Sequence, residues 1–173
     1  MIGRGLAKVG ASPQFAPMPL VRVLVDGYSL LHSWPELAPG QARHSAAARE
    51  ALVERLTHYR DATGTPITIF FDGALPRGVG PKIHSTPEVE VLFSTSGQTA
   101  DDLIERAAAR FQPYGEVLVV TDDMAERETV TAFGASAASC ENFIRMVEST
   151  LAELAEALKH HNRNERKRFH QRH

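Results

Sequence analysis

Val21-Arg22-Val23-Leu24-Val25-Asp26-Gly27 decides the fold: it is a β-branched run that closes on an acid and a glycine. Such a run reads as a buried strand followed by a turn. Ile67-Thr68-Ile69-Phe70-Phe71 repeats the pattern and again ends on an acid and a glycine, Asp72-Gly73. Val117-Leu118-Val119-Val120 is a third apolar run, closing on Thr121-Asp122-Asp123. Strands that are continuously apolar, rather than alternating, are the kind covered on both faces.

Helical periodicity fills the intervals. From Ser45 to Arg60, Ala48, Leu52, Leu56 and Tyr59 recur at helical spacing, and Ala62-Thr63-Gly64 closes the segment with a glycine. Thr99 opens a second helix to about Phe111, with Leu103, Ile104, Ala107, Ala108 and Phe111 on one face. A third runs from the Asp122-Asp123 pair to about Ala132, where Phe133-Gly134 stops it. From about Cys140 a last helix carries Phe143, Val147, Thr150, Leu151, Leu154 and Leu158. Val89-Glu90-Val91-Leu92-Phe93 is a strand whose polar insertion places it near a sheet edge, and Ala135 to Ala138 leave room for one short strand. Strands alternate with helices, so the fold class is α/β, with a mostly parallel sheet covered on both faces.

The 173 residues suffice for one domain with a buried core, and 43% hydrophobic with 23% charged residues excludes wholesale disorder and a fibrous fold. No apolar run approaches the roughly 20 residues that span a bilayer, so no membrane role is expected. The first twenty residues mix Gly, Ala and Pro without the apolar core of a signal peptide, and residues 1–20 read as a disordered extension. The folded domain is then 21–158 and residues 159–173 form a basic tail. The single cysteine, Cys140, excludes an internal disulfide and a Cys-rich zinc site, and it fits a cytoplasmic, reducing compartment. The formal charge of −2 hides an asymmetry: residues 159–173 hold six Lys or Arg, four His and one Glu, which leaves thirteen basic against twenty acidic residues in the rest. An acidic body with a basic tail suits a metal-binding enzyme with an anionic substrate, although a solvated helix end has the same composition.

In an open parallel sheet, ligands bind at the carboxyl ends of the strands, near the point where strand order reverses. Asp26, Asp72 and the Asp122-Asp123 pair all follow strand ends, and Asp101 and Glu105 lie four residues apart on one face of the helix from Thr99. Gathered on one edge, these acids would repel one another unless a cation or raised pKa values relieved the charge. Carboxylates and water suit the small hard cations Mg2+ and Mn2+, and no His/Cys cluster competes. The expected roles are Asp26 as central or bridging ligand, Asp101 and Asp123 as flanking ligands, Glu105 as an outer ligand or water orienter, and Asp72 as a supporting acid. A site of this kind suits phosphodiester hydrolysis. Each acid also has a plainer use: Thr99 to Asp102 fits a capping box, Asp123 with Glu126 a D-x-x-E cap, and Asp72-Gly73 a turn.

The residues Val25-Asp26-Gly27-Tyr28-Ser29, Ser33-Trp34-Pro35-Glu36-Leu37, Phe71-Asp72, Thr99-Ala100-Asp101 with Glu105, Thr121-Asp122-Asp123 with Glu126, and Phe133-Gly134 resemble, in this order and spacing, the YacP-like branch of the NYN domains. That branch belongs to the PIN-like ribonuclease superfamily. The resemblance implies a PIN-like three-layer α/β/α sandwich and a divalent-metal endoribonuclease, with members acting on messenger RNA in association with bacterial ribosomes. It places Asp26, Asp101 and Asp123 on acidic motif positions, and Asp102 and Asp122 on positions that need not be acidic. It also shows a departure, because Ser29 stands where the family pattern usually has Asn.

For an RNA substrate the backbone needs basic partners. Arg77 and Lys82, with His84 close by and the basic tail, are the candidates, while Ser29 can donate to phosphate and Tyr28 and Trp34 could stack on bases. Packing of the first loop is at least as good a use for Trp34. A phosphorelay receiver would need a lysine after the last strand, and a haloacid-dehalogenase-type phosphatase would need an acid where Tyr28 stands. The expected function is therefore a metal-dependent endoribonuclease acting on single-stranded RNA, without a nucleotide cofactor. The competing reading is a non-catalytic RNA- or ribosome-binding module with a degenerate acidic site.

Overall fold

The computed structural model describes residues 18–73 and 85–170. Five strands form one sheet in the order β3-β2-β1-β4-β5: β1 (Leu20–Asp26), β2 (Ile67–Phe71), β3 (Val89–Phe93), β4 (Glu116–Val120) and β5 (Ser136–Ala138). Every pairing is parallel, so the sheet is parallel throughout rather than mostly. The three central strands are the apolar runs of the sequence, and all five residues of β2 are buried. The polar insertion in β3 does mark an edge strand. Its Val89 and Val91 N–H groups are taken up by the hydroxyls of Thr86 and Ser85, which blunts that edge against further pairing.

Helices cover both faces. On one side lie α1 (Gly27–Ser33), α2 (Ala46–Thr63) and α5 (Cys140–His170), and on the other α3 (Ala100–Phe111) and α4 (Met124–Ala132). Helix α2 starts at Ser45, whose hydroxyl accepts from the Ala48 N–H at 3.1 Å, and ends at Gly64, whose φ of +74° only glycine adopts freely. Between these caps Ala48, Leu52, Val53, Leu56 and Tyr59 are buried against the sheet. Phe143 and Val147 anchor α5 in the same core, with Tyr59 meeting the Phe143 ring edge-on at 5.6 Å. The helix does not stop where the sequence turns basic but continues to His170.

One element differs from the sequence expectation. Asp26-Gly27 is not a simple turn, because α1 begins at Gly27 directly after β1. The glycine permits this: a Cβ there would sit 2.3 Å from the Phe71 ring. Trp34, at the end of α1, is only 5% exposed, so it packs in the core and has no face for a base.

This topology fixes where a site can form. Strand order reverses between β1 and β4, and the helices that follow these strands leave to opposite faces of the sheet. A crevice therefore opens at the carboxyl ends of β1 and β4.

Candidate functional site

Three carboxylates meet at that crevice. Asp26 ends β1, Asp101 stands in the first turn of α3 and Glu126 in the first turn of α4, each offering one oxygen within 4.8 Å of the others. Two of these three are residues the sequence singled out. Glu126 is the third, a residue that carries part of the family resemblance but whose expected role was only that of a cap.

Each carboxylate is placed by local hydrogen bonding. Asp26 caps α1: its Oδ1 accepts from the Ser29 N–H at 3.2 Å and its Oδ2 from the Ser29 hydroxyl at 2.7 Å. Ser29 thus orients the acid, which is a use for a short donor at the position where the family pattern has Asn. Helix α3 opens with the capping box expected from the sequence. The Thr99 hydroxyl accepts from the Asp102 N–H at 3.2 Å and Asp102 accepts from the Thr99 N–H at 3.0 Å. The cap is closed by Asp102, which leaves Asp101 outside it. Asp72 secures the same helix from below, its Oδ1 accepting from the Ser94 hydroxyl at 2.7 Å and the Ala100 N–H at 3.3 Å.

Asp123 has the capping role weighed for it. Its Oδ1 accepts from the N–H groups of Ala125 and Glu126, at 2.8 and 3.2 Å, and so starts α4. The reciprocal half of a D-x-x-E cap is missing, because the Glu126 side chain does not return to the helix end. It is 3% exposed, and neither of its oxygens has a hydrogen-bond partner among the described residues. Burial raises the Glu126 carboxyl to about 7; the Thr121 hydroxyl works in the other direction without forming a bond of acceptable geometry, and the charges of Asp101, Asp26 and Asp123 add to the rise. Asp101 is raised as well, first by burial and then by Asp26, Asp123, Asp72 and Glu105. Asp123, Asp72 and Glu105 are therefore outside the close group but inside its electrostatic field.

Asp122 turns away from this centre. It accepts from the Ser33 hydroxyl at 2.8 Å and the Cys140 N–H at 2.9 Å, which ties α1 and α5 to the end of β4. Burial raises its carboxyl, but the donors from Cys140 and Ser33 outweigh that, and the net shift is downward. Burial and then the Asp122 charge push the Cys140 thiol up, so it stays protonated and takes no part as a nucleophile.

The expected RNA contacts fare unevenly. Arg77, Lys82 and His84 lie outside the described residues. Tyr28 is half-buried, its ring 5.0 Å from Phe71 and 4.2 Å from His44, and its hydroxyl accepts from Arg49 at 3.3 Å. Ser29 is engaged with Asp26, as above.

The donor set itself tests whether a metal fits. Three carboxylate oxygens within 4.8 Å of one another, one belonging to a buried side chain without a hydrogen-bond partner among the described residues, form the all-oxygen donor set that a small hard cation prefers. A signal for Glu126 was present in the sequence, since a D-x-x-E pair in a first helical turn puts the Glu back toward the preceding strand end. The cap reading concealed it.

Residues 23–173 match the model of the YacP-like NYN domain, and the chain belongs to this family. It is 31% identical over 128 residues to the uncharacterized protein YacP of Bacillus subtilis (strain 168), a match covering 73% of this chain and 75% of that one. It is similar in fold to crystal structures of Rae1 (YacP) from Bacillus subtilis. One covers 84% of this chain and 83% of its own, and a point mutant covers 82% of each, both with a TM-score of 0.66 and 26% identity. Family and acidic cluster together point to a nuclease-type, RNA-related function. No helix among the described residues is long and apolar enough to cross a membrane.

Proposed function

We propose that the protein is a divalent-metal-dependent endoribonuclease that cleaves single-stranded RNA, with Asp26, Asp101 and Glu126 holding Mg2+ or Mn2+. The observation that supports this most is Glu126, a buried carboxyl without a hydrogen-bond partner among the described residues, beside two further acids. Leaving such a group unpaired is costly unless it serves a ligand. A bound divalent ion would polarise the phosphodiester and favour ionised water near it.

The protein residues have separable tasks in this reading. Ser29 fixes both oxygens of Asp26, so the carboxylate does not need to reorient when a ligand arrives. Asp72 and the Thr99–Asp102 box fix the start of α3 and with it Asp101. Asp123 fixes the start of α4 and with it Glu126, and its charge adds to the field that attracts a cation. Glu105, one turn beyond Asp101 and within its electrostatic reach, would serve as an outer ligand or orient water. Messenger RNA, with the ribosome as its setting in the cytoplasm, is the substrate proposed with this activity.

The test is cleavage of an unpaired RNA oligonucleotide by purified protein, with Mn2+, Mg2+ or a chelator, alongside Asp26→Asn, Asp101→Asn and Glu126→Gln. Cleavage that needs the metal and is lost in the variants supports the proposal. Cleavage that persists in the chelator, or in folded Asp101→Asn and Glu126→Gln, overturns it.

A further inference from the structure

Helix α5 is two things in sequence. Its first part is core, with Cys140, Phe143 and Val147 fully buried and Ile144 and Leu151 packed against them. Residues 152–164 are all exposed, Leu154 and Leu158 among them at 41% and 53%. The strands of the sheet are parallel and α5 follows β5, so the helix starts at the end of the sheet that carries the acids and runs away from them. At a rise of about 1.5 Å per residue, Lys159 lies roughly 28 Å along the axis from Cys140. The positively charged stretch is thus remote from the acidic centre.

Its charge is arranged. Lys159, Arg163 and Arg166 stand at i, i+4 and i+7, which places them on one face of the helix. Arg168 lies beyond them. Two ion pairs of this stretch, Lys159 with Glu156 and Arg168 with Glu165, join exposed side chains in water, where a polyanion can replace the carboxylate easily. A lone helix of this length is marginal by itself, and an exposed one with a cationic face gains order from a partner.

We infer that this far half of α5 is a docking arm for the phosphate backbone of base-paired RNA, at a place distinct from the strand that is cut; the inference rests on the RNA-directed reading above. Charge selects a polyanion. The straight, rod-like presentation of the cations suits the fixed phosphate array of a duplex. A binder of single strands would instead need several stacking platforms, and Phe169 is the one Phe, Tyr or Trp from Lys159 to His173. A membrane surface fits less well, because a membrane-lying helix carries its apolar and basic faces side by side. Here the exposed leucines, Leu154 and Leu158, both precede the basic stretch, and Phe169 is the one apolar residue from Lys159 to His173.

The test uses the full chain and the triple variant Lys159→Ala, Arg163→Ala, Arg166→Ala, in which alanine maintains the helix. Binding is titrated over a salt series against an RNA hairpin with a long stem and against vesicles of phosphatidylcholine and phosphatidylserine. Cleavage of a short unpaired oligonucleotide is measured in parallel. The expected result is a loss of hairpin affinity of about tenfold or more and a log–log salt slope shallower by about three, one for each cation removed. Helix content and the cleavage rate of the short oligonucleotide stay as they were. Unchanged hairpin affinity and slope would overturn the arm, as would binding that depends on these cations for vesicles but not for the hairpin. The readouts are separate: absence of cleavage in both proteins counts against the endoribonuclease reading, while the hairpin titration alone decides the arm.

Discussion

At the carboxyl end of the sheet Asp26, Asp72, Asp102, Asp122 and Asp123 each accept hydrogen bonds that fix a helix start or tie two elements together, whereas residues 152–164 of α5 are exposed throughout. One end of the molecule is negative and held in place by short local bonds. The other is positive and held mainly by its own helix. Carboxylates bound to backbone N–H groups serve as the frame, Asp26 alone among them also facing the proposed ligand, while Asp101 and Glu126 have no such bond among the described residues and are left for a ligand. Charge at the far end needs no such frame, because phosphate contacts tolerate small displacements and metal coordination does not.

The largest expected effect breaks the acidic end without disturbing its frame. Asp101→Asn and Glu126→Gln should each reduce cleavage by about 100- to 1000-fold, the range seen when one transition-state-stabilising group is removed. At pH 5, where the Glu126 carboxyl of the folded protein is protonated, thermal unfolding should move little. Asp26→Asn should do the same, since Asn can still cap α1. If these variants cleaved normally, the division between framing and free acids would be wrong.

A second variant attacks the frame itself. Gly27→Val puts side-chain atoms where a Cβ is already 2.3 Å from the Phe71 ring, and overpacking of this kind destabilises by about 1–3 kcal/mol. Denaturant unfolding would measure it. Unchanged stability would show that α1 can shift away from β2 freely, and that Asp26 is less firmly placed than its bonds indicate.

The pH dependence sharpens the contrast further. Because the Glu126 carboxyl is raised to about 7, the folded, metal-free protein holds a proton there that the unfolded chain has released above the ordinary Glu range. The sign follows: this contribution to stability is fully present below about 4.5 and is lost as pH rises through about 7. In a chelator, the melting temperature should therefore fall between pH 5 and pH 8, and Glu126→Gln should flatten the fall. Mn2+ should restore more stability at pH 8 than at pH 5, because it binds the deprotonated form. An equal slope in the variant would remove Glu126 as its source.

The smallest effect belongs to the positive end. Leu158→Ala, at a side chain 53% exposed, should change stability by less than about 0.5 kcal/mol. A larger change would mean that this part of α5 packs against something in solution.

Much of the fold was legible because the central strands are continuous apolar runs, and such runs have few uses other than a doubly covered sheet. Even the edge position of β3 could be read from Glu90. Helix α1 was not legible, since Gly27 and the two buried leucines Leu30 and Leu31 are too short a pattern to show a period. Asp26 and Asp101 could be placed at one edge from topology alone. Glu126 could not be separated from a cap, because D-x-x-E spacing serves both purposes and only burial distinguishes them. Conversely, the capping role of Asp102 was readable, since Thr99 stands three residues before it.

The most direct measurement is a crystal structure of the protein soaked in Mn2+, with the metal located by its anomalous signal. The expected result is a peak among the carboxylates of Asp26, Asp101 and Glu126. A fully soaked crystal with no peak there, in a preparation that cleaves RNA with Mn2+, would contradict it.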